Sequence, residues 1–187
     1  MEQSHPAPDV RDMTPDRYPA VQSLCDARYG AGYIDRTVFD RWMLHPPLFQ
    51  QALLGGGFAG FAVMVPSSVE EIMEKMDMPR EDVLAAAGDA QPLIYKSGAV
   101  FPQYEGHGVM NALAAVGIEK ARALGYGALF TSAWVHSGNV PIENTMLRFG
   151  FERLYERHML WYRNENYHCI ACGGRCVCDA VIYRKKL

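Results

Sequence analysis

The chain has 187 residues, 49% hydrophobic and 21% charged, which suits one soluble globular domain with a substantial core. A net charge of −3 gives no electrostatic reason to expect nucleic acid or an anionic membrane as partner. No apolar run reaches membrane-spanning length and residues 1–6 lack the basic and apolar regions of a signal peptide, so a cytoplasmic setting with reduced thiols is expected.

Residues 1–9 read as a flexible tail, and 10–13 as a short strand. Thr14-Pro15-Asp16 is a helix start, with Thr as N-cap and Pro at the first helical position. Tyr18, Val21, Leu24 and Cys25 then form an apolar stripe, in which Cys25 reads as a core thiol, since nothing beside it lowers its pKa. Gly30 and Gly32 end this helix. Residues 36–44 form a second one, stopped by Pro46-Pro47. Segments 49–54 and 58–65 around Gly55-Gly56-Gly57 read as a hairpin. Residues 69–76 and 80–87 read as two short helices in an insertion spanning 67–91. Its Met73, Met76 and Met78 either pack the insertion on the sheet, the reading favoured here, or form an adaptable wall over a substrate. Strands follow at 93–101 and 128–134, a short helix at 141–149, a long strand at 151–162 and a last strand at 177–184. Strand–helix alternation with hairpins at both ends implies an α/β (α+β) fold, a mixed, mainly antiparallel sheet with helices on both faces.

The chain is organised around residues 100–124. Gly106 and Gly108 allow a tight turn, and Val109, Ala112, Leu113 and Val116 share one face of the helix that follows. Gly125 is its stop. A helix N-terminus opening from a glycine loop suits an anion such as a pyrophosphate.

Val-x-Pro-x-Tyr-x-Gly-x-Gly-Val-x-x-x-Leu, beginning at Val100, resembles the acyl-CoA loop of the GNAT superfamily of acyl-CoA-dependent N-acyltransferases. Asn139, eleven residues before Gly150-Phe151, and the start at Val10-Arg-Asp-Met-Thr-Pro-Asp are similar to two further segments of that family. A second register, Gln103-x-x-Gly106-x-Gly108, also satisfies the loop pattern; the first places Pro102 and Leu113 correctly. The chain departs from it at Glu105, usually Arg or Gln, and at Met110, usually Gly or Ala. The resemblance makes 10–165 a GNAT-like domain, with 166–187 as its cysteine-rich loop and last strand. It implies acetyl-CoA as co-substrate and transfer of an acetyl group to a primary amine of a small molecule or peptide. It assigns the pantetheine arm to the backbone of Gly98, Ala99 and Val100, and the pyrophosphate to Gly106, His107, Gly108, Val109, Met110 and Asn111. Asn139 would contact the cofactor arm from the other side. The expected partners are the amine acceptor and a second copy of the chain, with no nucleic acid and no membrane.

The two positions where family members carry the catalytic group are apolar here. Met146 stands seven residues after Asn139 and Trp134 five before it. A thioether donates no proton. The candidates that replace them are His136, Glu143 and Tyr155, with His136 and Tyr155 preferred; His136 lies near Asn139 and titrates in the useful range. Proton transfer through water is the alternative, as is a non-catalytic acyl-CoA-binding or metal-sensing module.

Cys169, Cys172, Cys176 and Cys178 hold four of the five cysteines within ten residues, and Cys-x-x-Cys-Gly-Gly has the shape of a zinc knuckle. Four thiolates suit zinc or an iron–sulfur cluster, and free thiols or disulfides are the bland alternative. His168 is a substitute ligand for Cys178. A structural staple in a loop between two strands fits this position better than a catalytic centre. Chelation is expected to loosen the C-terminal segment and spare the acyl-CoA loop.

Overall fold

The computed structural model describes residues 7–165 and 167–187. Its main sheet combines β1 (Asp9–Asp12), β2 (Phe49–Leu54), β3 (Gly57–Pro66), β4 (Pro92–Val100), β5 (Ala128–Trp134), β6 (Glu152–Arg157) and β9 (Ala180–Lys186) in the order β1-β2-β3-β4-β5-β9-β6. Every pairing in it is antiparallel except β4 with β5. Two short strands, β7 (His168–Cys169) and β8 (Gly174–Arg175), pair with each other outside this sheet.

Among the described residues six α-helices cover the sheet: α1 (Tyr18–Arg28), α2 (Arg36–Trp42), α3 (Val69–Met76), α4 (Arg80–Ala87), α5 (Val109–Ala123) and α6 (Glu143–Arg148). Strand alternation sorts them onto two faces. Leu93, Tyr95, Leu129 and Ala133 point to the face where Val109, Leu113 and Ile118 of α5 and Met146 of α6 are buried. Ile94, Phe130 and Ile182 point the other way, onto α3 and α4. On that same side Phe49, Phe61 and Val63 meet Val21, Leu24, Phe39 and Trp42 of α1 and α2. Helices on both faces of a mainly antiparallel sheet are what the sequence pattern implied.

The hairpin and both insertion helices have the expected places. α3 opens on a reciprocal cap: the Glu71 N–H donates to Ser68 Oγ at 3.1 Å and the Ser68 N–H to Glu71 Oε2 at 3.0 Å. Met76 and Met78 are buried beneath the insertion, so they pack it and wall no substrate.

Three local expectations change. Asp9 already belongs to β1, and of the expected tail residues 1–6 lie outside the described residues. Thr14 is extended but caps nothing with its side chain; residues Pro15–Arg17 form a 3-10 turn and α1 begins at Tyr18. The strand expected to run to residue 162 stops at Arg157. There Asp179 Oδ1 accepts from the Met159 N–H at 3.1 Å and from His158 Nδ1 at 2.7 Å, and Met159 takes φ of 50°. A carboxylate from across the sheet thus ends the ladder and turns the chain.

Candidate active site

β4 and β5 pair over only three residues, Pro92 with Ala128, Leu93 with Leu129 and Ile94 with Phe130. Beyond these the strands part, and a cleft of about 570 Å³ opens between them. The parting has a visible cause in β4. Its register to β3 shifts between Ser97 and Tyr95, so Lys96 is the extra residue of a bulge, which bends a strand. Thr131 bridges the gap by donating its hydroxyl to the Tyr95 carbonyl at 3.0 Å.

The cleft has two ends. On one face it is lined by Met110 of α5 and by Ile142 and Thr145 at α6; on the other by Tyr29, Tyr33, Trp161, Tyr167 and Cys169. Its middle is the parted backbone, Lys96 to Val100 on one side and Thr131 to Trp134 on the other.

The backbone assigned to a pantetheine arm faces this gap. The Gly98 N–H donates to Tyr29 Oη at 3.4 Å, and the Gly98 carbonyl accepts from that hydroxyl at 2.5 Å. The Val100 carbonyl accepts from Arg28 Nε at 3.2 Å and Nη2 at 2.8 Å. Arg28 also pairs with Glu105. These edge groups are satisfied by side chains rather than by a neighbouring strand, so a ligand that displaces Tyr29 and Arg28 finds an intact β edge. Gly106 and Gly108 sit at φ 76° and 75°, and Gly108 precedes α5 without a capping side chain. The first N–H groups of this fifteen-residue helix therefore have no capping side chain to bond, as an anion site requires. His107 hydrogen-bonds the Glu105 carbonyl through Nδ1 at 2.8 Å, which firms the loop. Asn111 Oδ1 accepts from Thr145 at 3.0 Å, tying α5 to α6. Met110 packs against Gly98 and joins α5 to that edge, so the Gly98–Val100 backbone and the uncapped start of α5 are the groups that would hold an acyl-CoA; Gly106–Val109 and Asn111 do not line the cleft itself.

Lys96 was missed in the sequence, where it looks like one solvated lysine in a strand. Its side chain is largely accessible, yet it lies in the lining of the cleft, among many protein atoms. Burial accordingly lowers its pKa from the usual lysine value. No described residue pairs with its ammonium. Around it the phenols of Tyr29, Tyr33 and Tyr95 are all pushed up by burial, Tyr33 to about 12, and stay protonated. Tyr33 donates to Ser97 Oγ, and the Ser97 hydroxyl to the Lys96 carbonyl at 2.8 Å.

Other candidates lie elsewhere. Tyr155 packs on the α3–α4 side and donates its hydroxyl to Asp82, outside the cleft. Its position on β6 turns it to the back of the sheet, so the catalytic role expected of it has no geometry behind it. His136 and Asn139 are exposed and bridge each other through backbone bonds of 2.7 and 2.9 Å; the His136 ring lies 4.7 Å from that of Trp134, at the cleft's edge. The Asn139 amide donates to the Ser137 carbonyl at 3.2 Å and does not reach the lining. Glu143 is held by Arg153 and Tyr183. No residue of the 67–91 insertion lines the cleft; its helices cover the sheet behind Phe130 and Ile182, as the favoured packing reading has it. Cys25 is fully buried with its thiol pushed up to about 12 by burial, in keeping with a core thiol.

The four C-terminal cysteines converge. Their sulfurs all lie within 4.8 Å of one another, Cys172 to Cys178 at 3.3 Å and Cys169 to Cys178 at 3.9 Å. None is in a disulfide. Tetrahedral Zn–S bonds of ~2.3 Å place sulfurs about 3.8 Å apart, so the set needs little contraction to hold the ion. The Val177 N–H points at Cys172 Sγ at 3.5 Å, as in a thiolate knuckle. Trp134 stands beside Cys178, and its buried indole N–H has no well-formed hydrogen bond among the described residues; a thiolate at Cys178 gives it an acceptor. Cys178, which alternation had placed on the last strand, lies two residues before it and is free to turn inward.

No family model matches the chain, and no curated protein matches it in sequence. Solved structures do match its fold. One is the NatC complex bound to Gag peptide and CoA, with TM-score 0.71, 14% identity and 97% of this chain covering 99% of that one. A second is Arabidopsis thaliana Naa50 in complex with the bisubstrate analogue CoA-Ac-MVNAL, with TM-score 0.68, 12% identity and coverages of 97% and 100%. A third is the Drosophila melanogaster polyamine N-acetyltransferase that forms N-acetylagmatine, with TM-score 0.63, 14% identity and coverages of 96% and 100%. Strand order, cleft and these likenesses define the class: the chain has the GNAT acetyltransferase fold.

Proposed function

We propose that the protein is an acyl-CoA-dependent N-acetyltransferase that moves an acetyl group to a primary amine of a small molecule or peptide. The observation that carries this is the parted β4–β5 edge, opening through the sheet beside the uncapped N-terminus of α5. The neighbours bound to CoA or acting on peptide and polyamine acceptors support the substrate class.

Acetyl-CoA, when bound, supplies the thioester. The α5 N-terminus and the Gly106–Gly108 turn take its anionic end, and the Gly98–Val100 edge orients its arm. An amine entering from the Tyr29 and Tyr167 side forms the new C–N bond as the C–S bond breaks. Lys96, whose pKa burial lowers, takes the surplus proton of the amine in its neutral form and passes it to the departing sulfur. The cluster of four thiolates is read as a zinc site, which suits a reducing, cytoplasmic setting. A closed set of four cysteine ligands leaves no open position for chemistry, so zinc here is structural.

A second reading, a non-catalytic acyl-CoA-binding or metal-sensing module, rests on one observation: Tyr29 and Arg28 already occupy the Gly98 and Val100 edge. Calorimetry with acetyl-CoA, followed by thiol release against a panel of primary amines, separates the two. Binding with turnover supports the enzyme, and tight binding with no thiol release across the panel supports the module. No heat and no thermal shift at millimolar acetyl-CoA overturns the enzyme and the acyl-CoA-binding module alike.

A further inference from the structure

The segment 158–178 contributes little to the three apolar cores; Leu160 packs at the edge of one, and Cys169 and Cys176 are buried in the knuckle itself. What holds it is a set of single polar contacts. Arg175 donates to the Tyr162 carbonyl at 2.6 Å and lies 3.9 Å over the Tyr162 ring. Yet this weakly anchored segment builds one end of the cleft, through Trp161, Tyr167, Cys169, Ile170 and Cys176.

It also grips the turn after α1. The Tyr167 hydroxyl and the Ile170 N–H both donate to the Tyr29 carbonyl, at 3.2 and 3.4 Å. A Cβ on Gly30 would collide with the His168 carbonyl, so the two backbones touch. The rings of Tyr33 and Tyr167 meet edge-on at 5.9 Å. Tyr29 and Tyr33 are themselves cleft residues that bond the β4 edge and Ser97.

We propose that the cysteine knuckle is a metal-dependent wall of the cleft, whose zinc fixes both its own loop and the Tyr29–Tyr33 turn and so sets the shape of the acceptor end. The inference rests on the zinc reading above and adds a reach that a local staple lacks. Zinc binding couples to the ordering of whatever its ligands hold, here the lining and the turn it grips. The α5 loop is outside that reach, because its helix is packed by an apolar core.

The test is hydrogen exchange on the full chain, zinc-loaded, EDTA-stripped under reducing conditions, and as the variant Cys172→Ser, whose altered side chain does not line the cleft. Zinc is quantified in each sample. The expected result is that exchange quickens at least ~10-fold in residues 167–178 and in 29–34, and holds steady in 102–112. Quickening confined to 167–178 overturns the wall and leaves a staple. Less than about a tenth of an equivalent of zinc in protein purified without added metal overturns the metal reading beneath it. Acetyl-CoA titration of the same samples judges the acyltransfer reading separately: loss of binding in all of them sinks that reading, while the exchange pattern still decides the wall.

Discussion

The two ends of the cleft are made by different physics. At the α5 end the lining stands on an apolar core: Leu113, Ala114 and Met146 are wholly buried, and α5 lies along β2, β3 and β4. At the knuckle end Ile170 and Val177 are half exposed, and thiols and single hydrogen bonds hold the loop. Burial is non-directional and needs only the right pattern of apolar residues. A thiolate cluster is directional and depends on an ion and on redox state. On the proposed reading, the α5 end that would hold the cofactor is built into the fold, and the knuckle end that would meet the acceptor is conditional on what the cysteines bind.

Lys96 lies at the seam, and changing it has the largest expected effect. Lys96→Met lowers kcat/KM by roughly 10²–10⁴-fold, the range for a proton-transfer group, with the acetyl-CoA Kd almost unchanged. The wild-type rate rises with pH on a limb below the ordinary lysine range, and the variant loses that limb. The same substitution acts on stability in the other direction from its effect on rate. A lowered folded pKa means that the unfolded chain holds the proton more tightly, so stability rises as pH climbs from the folded value to the unfolded one. Lys96→Met removes that penalty at neutral pH, and Tm measured by calorimetry rises.

Gly30→Ala breaks the grip between turn and knuckle. It forces φ of 118° on a residue with a side chain and drives a methyl into the His168 carbonyl. About 2–4 kcal/mol of stability is lost in denaturant titration, with zinc release preceding global unfolding. Gly108→Val works at the other end. Space is open there, so the cost is backbone strain at φ 75°, roughly 1–3 kcal/mol, together with a weaker acetyl-CoA Kd in calorimetry. If Gly30→Ala weakened acetyl-CoA as much as Gly108→Val does, the two ends would not be separate. The smallest effect is that of Tyr155→Phe: one hydrogen bond to Asp82 is lost, about 0.5–1.5 kcal/mol by denaturation, and turnover stays within about twofold. A large fall in turnover would return Tyr155 to the chemistry.

The sequence carries the α5 end well. The glycine loop, the apolar face from Val109 to Leu113 and the two insertion helices follow from local propensity and period, which is why they are legible. Lys96 is not, because its placement depends on a bulge set by pairing with β3 in another part of the chain. The early end of β6 depends on Asp179, well further along the chain, and the wall depends on Gly30 meeting His168. The convergence of four thiols was readable from spacing; the place of Cys169 and Cys176 in the cleft lining was not, since nothing in Cys-x-x-Cys-Gly-Gly says which surface the loop lies against. Tyr155 shows the converse, since its β6 position is right and its face is wrong.

The strand order has a consequence for how the chain assembles. β9 lies between β5 and β6, pairing with both, although both precede it in the chain. Until β9 arrives, β5 presents one open edge and β6 has no partner in the sheet. Closing the second half of the sheet must await residues 180–186, across the long connection that carries the cysteines, and non-local closure of this kind is slow. Open strand edges in that interval invite pairing with other chains. An ion that gathers four sulfurs shortens the effective loop and lowers its closure entropy, which favours early docking of the last strand. Zinc present during refolding should therefore raise the yield of monomeric product more than zinc added afterwards.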